Sequence, residues 1–412
     1  MRARVRNCHI LEMLRAQKRP HISFHTPGHK RAGADITELS YSDNLLSPRG
    51  VIARAEEDIA GITGAYRAFL LTDGSTSGVH SMLLALREAG IGRVAYPAFC
   101  HKSVKDACYL FGLEGREIAS SRVPYPRQPS LSAIEEALGG AEALLLTSPD
   151  YYGNFPPLKE VAALCRAQNK PLVLDGAHGA HFYGTEYYAG NFAQMWVDGA
   201  HKSLPALTQG AAVFAADAFW ADKLASSVVR CRTTSPSYPI LASVEYAYKY
   251  PRSEGLVREA EAWKHRLGAE ENADWTKLLV PFGSECDRAE AFLERRGIYP
   301  EFNDGNFLMF YLSPCTKGRE LARLGRLIGK LPRGPIAAAE ASQGIPAGRT
   351  VWLAPEEAVG RICAQECGLF PPCMPLVCVG ERVSEASSAR LQAAHSVFGM
   401  REGKMLVFEE DA

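Results

Sequence analysis

A chain of 412 residues has room for two or three domains and a large core, and 47% hydrophobic residues mark it as globular. Lysine plus arginine equals aspartate plus glutamate at 46 each, so no global field draws the chain to nucleic acid or an anionic membrane. Its apolar runs are too short to span a bilayer, its basic N-terminus lacks the apolar core of a signal peptide, and its eleven cysteines have no framework spacing, a pattern that predicts a cytoplasmic protein with reduced thiols.

Residues 1–20 read as an amphipathic helix with Ile10, Leu11 and Leu14 on one side, the kind of arm that packs on a partner subunit. Residues 21–55 are rich in turn formers. Within them His25 and His29 have no acid or cysteine at ligand spacing, so they read as hydrogen-bonding loop residues lining a site. A helical pattern runs from Val51 to about Thr63. From about 66 to 215, strands and helices alternate, which predicts an α/β fold with a doubly wound, mostly parallel sheet. The strands are Ala68–Leu71, Arg93–Tyr96, Ala143–Thr147, Pro171–Leu174 and Met195–Val197, with helices near 79–89, 101–111, 131–138 and 157–168. Residues 217–270 turn more helical, and from about 280 a small α+β unit is expected, with Asn306–Leu312 its clearest strand. The expected division is an arm at 1–50, a large domain at 51–270 and a small domain at 271–412. Cys363, Cys367, Cys373 and Cys378 cluster without paired CxxC knuckles, so they read as buried small hydrophobes and no metal site is expected.

Four features carry chemistry. After the first strand, Asp73-Gly-Ser-Thr-Ser-Gly78 opens a helix. Free backbone N–H groups and the helix dipole make such a start an anion site, though ordinary N-capping by Ser75 or Thr76 explains the residues equally well. The turn has neither a Gly-Lys-Ser/Thr ending nor a GxGxxG, which favours a single phosphate group over ATP or NAD. His101 follows a strand end and opens a helix at the sheet edge where ligands bind, placed either to stack on an aromatic ring or to cap the helix. Leu172-Val-Leu-Asp175-Gly-Ala-His178 is an apolar strand ending in an acid. Trp196 to Gly210 holds His201-Lys202 in a turn of small residues after the next strand. Lysine is kept in water unless it is neutralised or covalently bound, and one with a lowered pKa forms a Schiff base with an aldehyde. An acid at one strand end and a lysine after the next fit pyridoxal 5'-phosphate, which needs an acid at its pyridinium nitrogen and a lysine at its aldehyde.

The stretches HTPGHK (25–30), DITEL (35–39), LTDGSTSG (71–78), HKSV (101–104), SPDYYG (148–153), LDGAHGAHF (174–182), AHKSLPALTQGA (200–211), TTSPSY (233–238) and PPCMPL (371–376) lie in one order. In wording and order they resemble the ornithine/lysine/arginine decarboxylase family of fold type I, aspartate aminotransferase-like pyridoxal-phosphate enzymes, while residues 255–360 carry little of the likeness. The resemblance implies that Lys202 forms the Schiff base and Asp175 pairs with the ring nitrogen. His101 would stack on the ring and His178 lie near it. Ser75, Thr76 and His201 would bind the phosphate. It further implies decarboxylation of a basic amino acid, with Lys202 or His178 protonating Cα, at a site shared across a dimer interface. There the 25–50 segment and Thr233 to Tyr238 would reach a neighbour's site.

The chain departs from the family in having Gly199-Ala200 where Ser-Thr commonly precedes His-Lys, which predicts weaker cofactor binding, partly compensated by Ser203. Cys373 stands where a glycine is common. A short C-terminal region and no N-terminal wing predict a homodimer or dimer of dimers rather than a decamer. An aminotransferase or lyase, with Arg230 or Arg232 for a second carboxylate, and a catalytically silent homologue are the competing readings. For the distal cation of the substrate, Asp43 of the partner subunit, Glu301 and Glu381 are the candidate acids.

Overall fold

The protein is described here from a computed structural model, for residues 7–16, 22–30, 33–121, 125–336, 348–369, 374–394 and 396–409. Its first half contains helices α1 (His9–Ala16) and α2 (Val51–Thr63), then β1 (Arg67–Leu71), α3 (Gly74–Glu88), β2 (Arg93–Pro97), α4 (Lys102–Phe111), β3 (Glu114–Ile118), α5 (Leu131–Gly139), β4 (Ala143–Thr147), α6 (Leu158–Ala167), β5 (Leu172–Gly176), β6 (Met195–Asp198), α7 (Ala200–Ser203) and β7 (Ala211–Ala215). The strands form one seven-stranded sheet in the order β1-β7-β6-β5-β4-β2-β3. From β6 to β3 every pairing is parallel; β7 alone runs antiparallel to its neighbours, β6 and β1. The expected doubly wound sheet is therefore present.

Side-chain alternation divides the core. On β5, Leu172 and Leu174 enter one apolar layer, shared with α2, α5, α6 and α1, while Val173 points into the other, shared with α3 and α4. Helices on both faces bury the central strands completely, as parallel sheets require. Strand β3 has no counterpart among the expected elements. Four of its five residues are exposed and only Ile118 is buried, so this edge strand has no apolar pattern to read.

The N-terminal arm packs on its own chain: Ile10, Met13 and Leu14 of α1 join the core. The Glu245 carboxylate accepts from the backbone N–H groups of His9 at 2.6 Å and Ile10 at 2.9 Å, so a negative charge meets the helix start. Lys249 bridges Glu245 (2.9 Å) and Asp58 (2.6 Å), and His9 reaches Asp58 at 3.1 Å. A lysine ammonium thus occupies the centre of the one His/Asp/Glu grouping at metal-ligand spacing among the described residues.

Helices α8 (Ala218–Cys231), α9 (Tyr238–Tyr248) and α10 (Glu254–Leu267) follow, as the sequence predicts. Beyond them lie β8 (Lys277–Pro281), α11 (Cys286–Glu294), β9 (Phe302–Asn303), β10 (Phe307–Tyr311), α12 (Gly318–Ile328), β11 (Thr350–Leu353), β12 (Cys367–Leu369), β13 (Met374–Val377), α13 (Glu385–Ala393), β14 (Val397–Phe398), β15 (Met400–Arg401) and β16 (Lys404–Phe408). They build three small antiparallel sheets, β8-β10-β9, β11-β16-β15 and β13-β12-β14, rather than one. Cys363 and Cys367 are core residues of the last part, whereas Cys373 lies outside the described residues.

Candidate active site

The parallel strands deliver their carboxyl ends to one edge of the sheet, and the sequence-predicted residues sit there. Strand β6 ends at Asp198, a buried carboxylate that accepts from the hydroxyls of Tyr188 (2.8 Å) and Tyr248 (2.9 Å). Trp196 Nε1 donates to the Tyr188 hydroxyl at 2.9 Å, so the strand end is pinned on several sides. The chain then passes through Gly199 into the single turn α7, which carries His201 and Lys202. A Cβ on Gly199 would stand 2.5 Å from the Ala177 carbonyl oxygen. Glycine here lets the lysine turn lie directly on the loop after β5, and Lys202 Nζ comes to 3.1 Å from His178 Nε2.

His201 closes the turn: its backbone N–H and Nδ1 both donate to the Gly210 carbonyl, at 2.9 and 3.0 Å. Gln209 accepts from the Gly74 N–H at 2.9 Å, which ties the lysine loop to the start of α3. Gly74 supplies the positive φ, +76°, that this strand-to-helix turn needs. The N-cap residue is Asp73, whose side chain makes no cap hydrogen bond and instead accepts from the Thr233 N–H at 3.1 Å. Ser75 and Thr76 lie inside the first turn, so the N-capping alternative falls away and the first-turn N–H groups lack a side-chain cap. Ser77 is turned inward, donating to Gly74 O at 3.1 Å.

Asp175, next to last in β5, is buried, with Oδ1 accepting from the Ala177 N–H at 3.1 Å. Burial pushes its carboxyl above the ordinary range, and the Lys202 charge opposes that rise. His101 caps α4, with Nδ1 accepting from the Ser103 N–H at 3.2 Å. Burial, reinforced by Lys202 and Lys102, lowers its imidazole to about 4, so it is neutral at physiological pH. Capping thus fixes a flat, uncharged ring near the lysine. His201 is lowered as well, chiefly by burial. Ser203, expected to compensate in part for Gly199-Ala200, is buried at the end of the same turn.

One residue of this cluster has no sequence motif. Lys277, at the start of β8, is 1% exposed, and its Nζ lies 2.8 Å from His178 Nδ1 and 3.5 Å from the Tyr311 ring centre. Burial lowers it to about 8, against the pull of Asp274 and Glu301 toward the charged form. A lysine opening the apolar run Lys277-Leu-Leu-Val280 was its one signal. Tyr311 places its hydroxyl 3.3 Å from the same nitrogen of His178. Burial drives His178 well below its ordinary range, and Lys202 and Lys277 add to the effect.

The three candidate acids separate. Burial opposes ionisation of Asp43, yet N–H donors from Arg49, Asn44, Gly50 and Ile52 outweigh it and hold the carboxyl low; that carboxylate is committed to the start of α2. Glu381 accepts from the Cys378 N–H at 2.7 Å in the C-terminal part. Glu301 is exposed and takes up the Tyr151 hydroxyl at 2.8 Å, and the Tyr151 ring meets His178 edge-on with centroids 4.9 Å apart. Of the two arginines, Arg230 pairs with Glu88 at 3.1 Å and buried Arg232 donates to the carbonyls of Leu70 and Leu45. His25 and His29 stand exposed, within hydrogen-bonding reach of Thr37 (2.8 Å) and Asp35 (2.9 Å).

The chain is similar to several known proteins. The profile described as "Orn/Lys/Arg decarboxylase, major domain" matches residues 16–274. An uncharacterized Bacillus subtilis protein, YaaO, is 28% identical over 97% of this chain and 96% of its own length. An arginine decarboxylase of Halalkalibacterium halodurans is 25% identical over 90% of each chain. In structure, the constitutive lysine decarboxylase of E. coli superposes with a TM-score of 0.73 at 18% identity, over 98% of this chain and 82% of that one. A structure of SPT with PLP gives a TM-score of 0.54 at 15% identity, over 67% and 75%. The fold is that of the fold type I pyridoxal-phosphate enzymes.

Proposed function

The chain belongs to the Orn/Lys/Arg decarboxylase family, and on that premise we propose that it is a pyridoxal 5'-phosphate-dependent decarboxylase that releases CO2 and an amine from a basic L-amino acid. The observation that carries this reading is the convergence on one sheet edge of the Lys202 amine, the buried Asp175 carboxylate, neutral His101 and His178, and the uncapped first turn of α3.

That donor and acceptor set fits the cofactor. Asp175, buried and taking one N–H on Oδ1, holds a proton at a pyridinium nitrogen. The first-turn N–H groups of α3, with Ser75 and Thr76, offer a phosphate the positive end of the helix. His201 keeps Nδ1 on Gly210 O, which leaves Nε2 as the nitrogen that would contact the phosphate. His101, held by its cap, would offer the cofactor ring a flat, uncharged face to stack on. When bound, the cofactor supplies an aldehyde carbon for amines and an electron sink for the pair left by CO2. Lys202 is the nucleophile, and Lys202 or His178 returns a proton to Cα.

Glu301 is the acid we assign to the substrate's distal cation: among the described residues its carboxylate takes up only the Tyr151 hydroxyl, whereas Asp43 and Glu381 serve their own backbone. A transaminase reading has no support in Arg230 or Arg232, both engaged elsewhere. We further propose a homodimer or dimer of dimers in the cytoplasm with a shared site. Ile22 and Phe24, 86% and 95% exposed beside His25, form an apolar surface that a second copy would cover. No helix among the described residues is long and apolar enough to cross a membrane.

The test is CO2 release by protein loaded with pyridoxal phosphate, offered L-lysine, L-ornithine and L-arginine in turn. Rapid release from one of them, abolished in Lys202→Ala, is expected. A protein that binds the cofactor through Lys202 yet releases no CO2 from any of the three would overturn the reading.

A further inference from the structure

His178 stands between two amines, with Lys202 Nζ 3.1 Å from Nε2 and Lys277 Nζ 2.8 Å from Nδ1. An ammonium has three donors and no acceptor, while a neutral imidazole has one of each. When both contacts are hydrogen bonds to a neutral ring, only one of the two lysines can be an ammonium. Charging the ring would make both its nitrogens donors and force both lysines to be neutral acceptors, and burial opposes that charge.

The surroundings select which lysine is charged. The groups facing Lys277 from the packed elements are Asp274, Glu301, Asp150 and Lys202, with the rings of Tyr151 and Tyr311. Lys202 faces one carboxylate, Asp175, which burial already pushes toward its neutral form, whereas Lys277 faces three, and the Tyr311 face at 3.5 Å adds a cation–π contact to its ammonium. Asp274 is itself locked in place by His181 Nε2 at 2.9 Å and by the backbone and hydroxyl of Thr276 at 2.9 and 2.7 Å. With Lys277 donating, Nδ1 must accept and the imidazole proton must sit on Nε2, directed at Lys202 Nζ.

We propose that Lys277 is a positioning residue: by donating to His178 Nδ1 it sets the Nε2–H tautomer of a neutral imidazole and thereby holds the Lys202 amine uncharged and nucleophilic. That Lys202 acts as nucleophile rests on the function proposed above; the tautomer of His178 does not.

The experiment is nitrogen NMR on the full protein labelled with 15N-histidine, with and without pyridoxal phosphate, the His178 signal being assigned by its loss in His178→Asn. The native protein should show an unprotonated Nδ1 and a protonated Nε2. In Lys277→Met the two shifts should exchange, since Nδ1 loses its charged donor and keeps only the Tyr311 hydroxyl at 3.3 Å, which accepts as readily as it donates, and Lys277→Arg should restore the native pattern. The pH midpoint for reaction of Lys202 with added pyridoxal phosphate, read by absorbance, should rise by about one unit in Lys277→Met and recover in Lys277→Arg. A native signal with the proton on Nδ1, or an unchanged tautomer in Lys277→Met, overturns the proposal. The native measurement needs no variant, so a Lys277→Met chain that fails to fold leaves the proposal open to refutation. An Nε2–H signal in a protein that releases no CO2 would count against the decarboxylase reading alone.

Discussion

Replacing Gly199 by serine, the residue that commonly stands there in the family, should damage this protein rather than improve it. A Cβ at 199 falls 2.5 Å from the Ala177 carbonyl oxygen, about 0.9 Å inside ordinary contact at 3.4 Å, and the obstacle is backbone rather than a movable side-chain end. Overpacking of this kind costs about 1–3 kcal/mol. An added hydroxyl donor to phosphate returns only about 1 kcal/mol. Relief of the clash requires the lysine turn to lift off the loop bearing His178, which lengthens the 3.1 Å Lys202–His178 contact. A misplacement near 1 Å at a reacting group lowers rate by roughly 10²-fold. Urea unfolding and CO2 release should therefore both show the loss, and Gly199→Ala, which adds the Cβ without the hydroxyl, should match it. A Gly199→Ser protein as stable as the native one, with tighter cofactor binding and undiminished turnover, would refute this account of the Gly199-Ala200 departure.

Two further outcomes are expected. Burial raises Asp198 to about 7 despite the Tyr188 and Tyr248 hydroxyls. An acid raised in the folded state contributes stability that is complete below its unfolded value near 4 and is lost as pH climbs through about 7; this amounts to at most about 4 kcal/mol. Asp198→Asn should flatten the stability difference between pH 5 and pH 8, measured by urea melts, and equal dependence in both proteins would rule the effect out. Glu301→Gln should raise KM for the preferred basic amino acid by roughly 10- to 100-fold with little change in kcat, because it removes one charge-assisted contact. An unchanged KM would remove Glu301 from the substrate site.

Local sequence carried the parts of this molecule that obey local rules. The all-apolar runs of β4, β5 and β6 and the glycine-hydroxyl turn at 73–78 state their own structure, and Asp175 and Lys202 are marked by position at strand ends. Strand β3 went unseen because its pairing with β2 is made by backbone, under side chains such as Glu114 and Arg116 that face water. Lys277 went unseen for the opposite reason. It is far from His178 in sequence, and only the packing of β8 against the segments that follow β4 and β5 turns a strand-end lysine into a buried neighbour of an imidazole. Asp43 looked available to a substrate because the turn that consumes its carboxylate, from Asn44 to Ile52, has no signature of its own.

The antiparallel return of β7 has a consequence for how the protein assembles. Its register places Ala212 opposite Asp198, so the segment bearing Lys202 is closed by strands adjacent in both sequence and space. Parallel neighbours such as β4 and β5 must instead await a helical crossover. Short loops close at low entropic cost and local pairings form early, whereas distant ones set the folding rate. The lysine turn is therefore a fast-forming unit waiting on slow ones: His101 and Asp175 arrive with the crossovers, and Lys277 arrives last. Pulse-labelling of amides during refolding should find β6 and β7 protected before β8, and competence to bind the cofactor should track the later event.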